Sequence, residues 1–273
     1  MTEPPLLTDR AALSLHRRRA VLQGFEPFLY EDIAAEVDER LAEVNRPFTY
    51  AAFVSGFPFW CARRFPQARA VEDGDTLDLA PAAHDLVVHF LCLHWANDPV
   101  GQLIQCRRAL MPDGWLLCVL FGGRTLAEFR SALAEAETRL SGGLSPRVLP
   151  MGEIRDLGGL LQRAGFALPV ADVSSRTVSY PSVMALVSDL RGMGEGNAMA
   201  ARTRSMPRSM LPLAADIYEQ SFGAGQGRIP ASFDTVFLTG WAPAPGQPKP
   251  LRPGSASLRL ADALDVARRG GRT

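Results

Sequence analysis

Three histidines, His84, His89 and His94, recur five residues apart in an apolar stretch, and Trp95 follows the last. Histidine exchanges a proton near neutral pH, and its ring nitrogens bind metals. On an extended chain a spacing of five sends neighbours to opposite faces, so the spacing argues against the three sharing one ion. His94 and Trp95 are placed otherwise. They lie just past the apolar run Asp85 to Leu93, at what should be the carboxyl end of a buried strand, where open α/β sheets bind ligands. There His94 can act as a general base and Trp95 as a stacking surface, or the pair can serve packing and hydrogen bonding alone. The turn Glu72-Asp73-Gly74-Asp75 offers carboxylates to a ligand or to solvent. Gly122-Gly123 leave room for a substrate backbone, or make a plain strand-to-helix turn. Glu195 and Asn197 sit in a glycine-rich loop that can close over a site or simply end a helix. Tyr180 and Arg191 are further candidate substrate contacts. No Ser/His/Asp order, P-loop or C-x-x-C motif offers a different chemistry.

The elements that position these residues are read from periodicity. Asp85 to Leu93 is almost unbroken in its apolar character, as a strand covered on both faces must be. Asp98 can cap the helix that follows, and Pro99 suits its first position. Val100, Leu103, Ile104 and Leu110 give it an apolar stripe, and Pro112-Asp113-Gly114 carries turn chemistry. Trp115 to Phe121 is a second buried strand. Strand, helix and strand in sequence make a right-handed parallel βαβ unit. Before it, residues 10–45 read as helical, with one helix over Arg17 to Phe28 and a second over Glu31 to Asn45. A strand at 48–54, a short helix at 59–65 and a short strand at 68–71 come next. After it, Thr125 and Glu128 form a T-x-x-E capping box for a helix through Leu140. A helix over 153–164 ends at Gly165 with Phe166 packing back. A strand within 168–179, two helices within 181–222 and a strand from Asp234 to Trp241 complete the list. The domain reading is N-terminal helices at 1–47, a main domain at 48–254 with a helical insert at 181–230, and a tail at 255–273 holding a loosely attached helix.

Composition narrows the classes. The chain has 273 residues, 47% hydrophobic and 21% charged, an ordinary globular mix that can bury a substantial core. Its 29 basic residues balance 29 acidic ones, which gives no electrostatic case for nucleic acid or an anionic membrane. Lys249 is the only lysine; the arginine, alanine, glycine and proline content points to a GC-rich bacterial coding bias. Cys61, Cys92, Cys106 and Cys118 are scattered and read as reduced core thiols. No apolar run is long enough to span a membrane, and the first ten residues lack a signal-peptide core, so a cytoplasmic location is expected.

The central unit, with L-M-P-D-G-W before its second strand, resembles the class I S-adenosylmethionine (SAM)-dependent methyltransferases. LHWANDP, FGGRTLAEFRSALAEAE, GGLSPRV, DLGGLLQRAGF, DLRGMGEGN and TGW before PGSA narrow the resemblance. They point to the branch containing the complex I assembly factor that hydroxylates an arginine. The malonyl-carrier-protein methyltransferase of biotin synthesis is a more distant relative. The resemblance covers roughly 84–260 and implies an α/β fold with a mostly parallel, Rossmann-like sheet and one antiparallel strand near the C-terminus. It implies SAM as cofactor, with Asp73 matching the residue that contacts the adenine amino group and Asp75, Trp95 and Gly56 nearby. It also implies a protein partner, a subunit of respiratory complex I.

The N-terminal half departs from that pattern. Phe53 stands where the family has an acid, and Ser55, Phe57 and Phe59 stand where it has three glycines. Gly56 alone remains, out of phase. Phe57 and Phe59 are expected to occupy the methionine part of the pocket. From Gly56 to Ala83 there are 28 residues, room for one strand–helix unit where the family has two. The unit expected to be lost is the second strand with its helix, and with it the acid that holds the ribose. Two readings follow: a SAM-using enzyme acting on a protein side chain, or a non-catalytic relative that binds and assists a protein partner.

Overall fold

The computed structural model describes residues 6–247 apart from 203–205, 224 and 226. Met1–Pro243 forms one compact unit and Ala244–Thr273 a second; every element below belongs to the first. The helix expected in the tail lies outside the described residues.

The chain opens with two helices, α1 (Arg10–Gln23) and α2 (Phe28–Glu43). The helical stretch begins at residue 10 as expected, but its break falls at 24–27, earlier than the break expected after Phe28. Asp9 accepts a hydrogen bond from the Ala12 amide and so fixes the start of α1, while Gly24 and Pro27 separate the two. The sheet is built from β1 (Ala51–Ser55), β2 (Arg69–Glu72), β3 (His84–Phe90), β4 (Leu110–Gly122), β5 (Ala167–Tyr180) and β6 (Ile229–Trp241). Their spatial order is β2-β1-β3-β4-β6-β5. The first four run parallel, and β6 runs antiparallel to both its neighbours. Between β1 and β2 there is one short helix, α3 (Pro58–Arg64), and the crossing from β2 to β3 carries no helix at all. The short interval therefore holds one strand–helix unit, and the surviving strand pairs directly with β1.

Alternate residues of each central strand feed two cores, as the pleat requires. Leu86, Val88 and Phe90 of β3, with Leu117 and Val119 of β4, face the core shared with α2, α3, α5 (Ala127–Ser141), α7 (Val183–Gly192) and α8 (Met210–Phe222). Val87, Leu116 and Cys118 face the opposite core with α4 (Pro99–Ala109) and α6 (Ile154–Ala164). Two local expectations are corrected. Pro112-Asp113-Gly114 does not precede the strand: β4 already begins at Leu110 and kinks through Asp113 at φ +61°, held by backbone bonds with Ala242. The capping box does not form. The Thr125 hydroxyl donates to the Gly122 carbonyl and accepts from the Asp234 amide, while Glu128 accepts from Ser232. Groups of β6 thus take the side chains that would have capped α5, and Leu126 at φ +56° becomes its N-cap, with no side-chain capping bond. The Gly165 cap is as expected, at φ +81° with Phe166 donating back to the Leu161 carbonyl.

The N-terminus is pinned to a segment far along the chain. Thr8 bridges Met199, the Asp9 amide donates to the Ala198 carbonyl and the Ala200 amide to Leu7. The Asn97 side chain receives the Leu7 and Thr8 amides, and Arg202 pairs with Asp9.

Candidate functional site

The carboxyl ends of β1, β2 and β3 meet at Ser55-Gly56-Phe57, Asp73 and Leu91 to Trp95, and α1 lies over them. Arg10 and Arg17, seven residues apart, share one side of α1. Both reach the buried Asp73. Arg10 donates to its carboxylate and, at 2.8 Å, to its backbone carbonyl, and Arg17 Nη2 lies 2.8 Å from Oδ2. Burial alone would raise the Asp73 pKa; Arg17 and Arg10 outweigh it and hold the carboxyl below its usual range. Burial would lower that of Arg17, but Asp73 more than compensates and the guanidinium is held charged more firmly than usual.

The same guanidinium covers Gly56. A Cβ built there would lie 2.3 Å from Arg17 Cζ, so any side chain at this position would have to push the guanidinium off the loop. Phe57, 2% exposed, packs its ring 4.4 Å from that of Phe25 and 5.7 Å from Tyr30, and touches Gly194. Phe59, one residue into α3 and 43% exposed, stays at the surface edge of this cluster, its ring 6.1 Å from that of Phe57 and 5.8 Å from that of Phe25.

Past β3, a turn of 3-10 helix (Leu93–Trp95) presents His94 and Trp95 side by side. Glu195 reaches both from the loop after α7: Oε2 accepts from the Trp95 indole at 2.8 Å and lies 3.2 Å from His94 Nε2. Trp95 and Glu195 line a cavity of about 840 Å³ between α1, α5, α7, α8 and the end of β4. Its wall is apolar, with Phe121, Leu126, Phe129, Leu133 and Phe233 prominent, and Arg19, Arg147, Arg191 and Arg202 also border it. His94 instead faces a smaller space of about 130 Å³ beside Leu93 and Gly152.

The remaining candidates divide. Arg191, Glu195 and Asn197 line the large cavity, and Asn197 donates to the Pro146 carbonyl. Asp75 is exposed, and its carbonyl accepts from Gln105. Gly122 and Gly123 line neither cavity; a Cβ on the first would meet Val236 at 2.6 Å and on the second the Asp234 carboxylate at 2.6 Å, so both serve close packing against β6. Tyr180 is buried at the far end of β5, its hydroxyl pKa raised by burial and by nearby Asp189. The three histidines part company: His84 Nδ1 lies 3.0 Å from the Tyr50 carbonyl, and buried His89 lies 2.7 Å from Gln102. Among the described residues no group of three or more His, Cys, Asp or Glu could hold a metal.

Sequence reasoning missed Arg10, Arg17 and Gln102. Gln102 ties His89 to the Gly74 carbonyl and so fixes the acidic turn. The signal for the arginines was their seven-residue spacing on a helix facing an acid in an otherwise apolar sheet end.

A methyltransferase-domain pattern matches residues 59–118. The arginine-hydroxylase NDUFAF5, mitochondrial, of Danio rerio is 33% identical over 240 residues, covering 87% of this chain and 72% of that protein. The malonyl-[acyl-carrier protein] O-methyltransferase of Xylella fastidiosa is 34% identical over 179 residues, 65% of this chain and 58% of its own. Among solved structures, the YcgJ protein from Bacillus subtilis matches with a TM-score of 0.47 at 10% identity, over 86% of this chain and 99% of that one. No described helix is long and apolar enough to cross a membrane. A sheet of this topology, a methyltransferase-domain match and a relative aligned along most of both chains together place the protein: it belongs to the family of the arginine-hydroxylase NDUFAF5, built on a methyltransferase-type domain.

Proposed function

We propose that this protein assists the assembly of a respiratory complex I by binding a protein partner, with the SAM place of its fold filled by its own chain. One observation carries the reading: Arg17 covers Gly56 while it and Arg10 occupy the Asp73 carboxylate. SAM needs open backbone amides after β1 for its amino-acid end and a free acid for its nucleoside. Here the amides lie beneath a guanidinium, Phe57 stands beside them, and the acid has two cations against it. These residues do not fit the cofactor. The resemblance to the complex I assembly branch supports the partner, and the four unpaired buried cysteines suit a reducing, cytoplasmic setting.

Calorimetric titration of SAM into the purified protein tests the reading. The expected result is no binding to the native chain, with Arg17→Ala/Phe57→Gly as the variant that reopens the loop. A micromolar dissociation constant for the native protein, about −8 kcal/mol, would sink the proposal. A pull-down from native membranes should enrich a complex I subunit, and its absence counts against the partner.

A second reading is favoured by the His94–Glu195–Trp95 cluster. An acid–base side chain held by a carboxylate beside a cavity suits modification of a partner's side chain, with His94 as base and Glu195 orienting it. Mass spectrometry of the captured partner before and after incubation separates the two readings.

A further inference from the structure

The large cavity has a charge pattern that neither reading uses. Its wall is built from buried apolar side chains, Phe121, Leu126, Phe129, Leu133 and Phe233 among them. Four arginines border it and, among the described residues, a single carboxylate, Glu195, whose Oε2 is engaged by Trp95 and His94. Arg147 pairs with Glu137 and Arg202 with Asp9. The guanidinium groups of Arg19 on α1 and Arg191 on α7 make no ion pair or hydrogen bond among the described residues, and both residues are exposed, so they stand at the open edge. Its size falls in the range of small-molecule sites, about 300–1,000 Å³.

An apolar interior with unpaired guanidinium groups at the rim selects a ligand with the opposite arrangement. We propose that this cavity binds an amphipathic anion, an aliphatic chain ending in a carboxylate or phosphate, with the chain against Phe129 and Leu133 and the head on Arg19 and Arg191. The planar guanidinium fork suits both oxyanions. A cationic occupant such as an arginine side chain meets the same two charges and is disfavoured. The inference goes beyond the partner-binding reading and does not rest on it, since the cavity and the place covered by Arg17 are bordered by different residues.

The test is calorimetric titration of the full chain with decanoate, decyl phosphate and 1-decanol, each below its aggregation limit. Decanoate or decyl phosphate should bind with a micromolar dissociation constant, and the tighter of the two identifies the head group. Arg19→Ala/Arg191→Ala should weaken the anion by about tenfold or more and leave the alcohol unchanged. Leu133→Trp, which fills the interior, should abolish binding of both. The proposal is overturned if neither anion binds at millimolar concentration, or if the double-arginine variant binds as the native chain does. It is equally overturned if N-acetyl-arginine amide binds where the anions do not. Both arginines are exposed, so their variant tests the site without disturbing the core.

Discussion

Arg17 Nη2 lies 2.8 Å from the Asp73 carboxylate, and the same guanidinium fills the space a side chain on Gly56 would need. One arginine on the first helix therefore neutralises the acid after β2 and covers the loop after β1. Removing one partner of a buried pair leaves the other uncompensated, at a cost of roughly 3–5 kcal/mol. Arg10 still faces Asp73, so Arg17→Met should fall at the low end, about 3 kcal/mol, read from urea unfolding. Adding Asp73→Asn should recover part of that loss, giving a double-mutant coupling of about 1–3 kcal/mol; simple additivity would mean the pair is not coupled.

The same pair sets an acid limit. The Asp73 carboxyl is held below its ordinary value in the fold, so the unfolded chain binds its proton more readily. The associated stability is complete above the ordinary carboxylate range near pH 4 and is lost as pH falls through the folded value. Melting temperature followed from pH 6 down to pH 3 should drop more steeply for the native protein than for Asp73→Asn. Parallel curves would assign the acid sensitivity to other groups.

Gly56→Ala should cost about 1–3 kcal/mol, the usual penalty for forcing a group into a filled space. In an Arg17→Ala background the space is open, and the same substitution should cost well under 1 kcal/mol. Equal costs in both backgrounds would show that the loop, and not the arginine, resists the methyl.

Glu195→Ala should leave the buried Trp95 indole N–H without an acceptor, at about 1–3 kcal/mol. Glu195→Gln keeps an acceptor and should cost less than half as much. Trp95 is one of 4 tryptophans, so its indole proton is best followed as a resolved NMR resonance, which should move in the alanine variant and shift little in the glutamine one.

Most of the sheet was legible because buried parallel strands write themselves as apolar runs: β3 from His84 and the buried length of β4 from Trp115 follow directly. His94, Trp95, Glu195 and Asn197 stand out in the sequence by their position past strand and helix ends, though the sequence does not show that Glu195 joins the first two. The errors share a cause. Thr125 and Glu128 matched a local motif, yet β6 supplied stronger partners from a hundred residues away. Phe59 looked equivalent to Phe57 in sequence, but Pro58 starts a helix between them, which buries one ring and leaves the other part-exposed at the rim of the same cluster. Arg10 and Arg17 carry no such mark, because nothing local reveals that their side of α1 meets Asp73.

The pinning of Leu7, Thr8 and Asp9 to Ala198, Met199 and Ala200 has a consequence in time. Chains are made from the amino end, and folding units settle as they emerge. Here α1 leaves the ribosome well before residues 198–200, the strand-like partner that anchors its leading end. Until residue 200 has emerged, the helix carrying Arg10 and Arg17 has only Asp73 and Asn97 to hold its leading end, and lacks the backbone bonds that finish the seam.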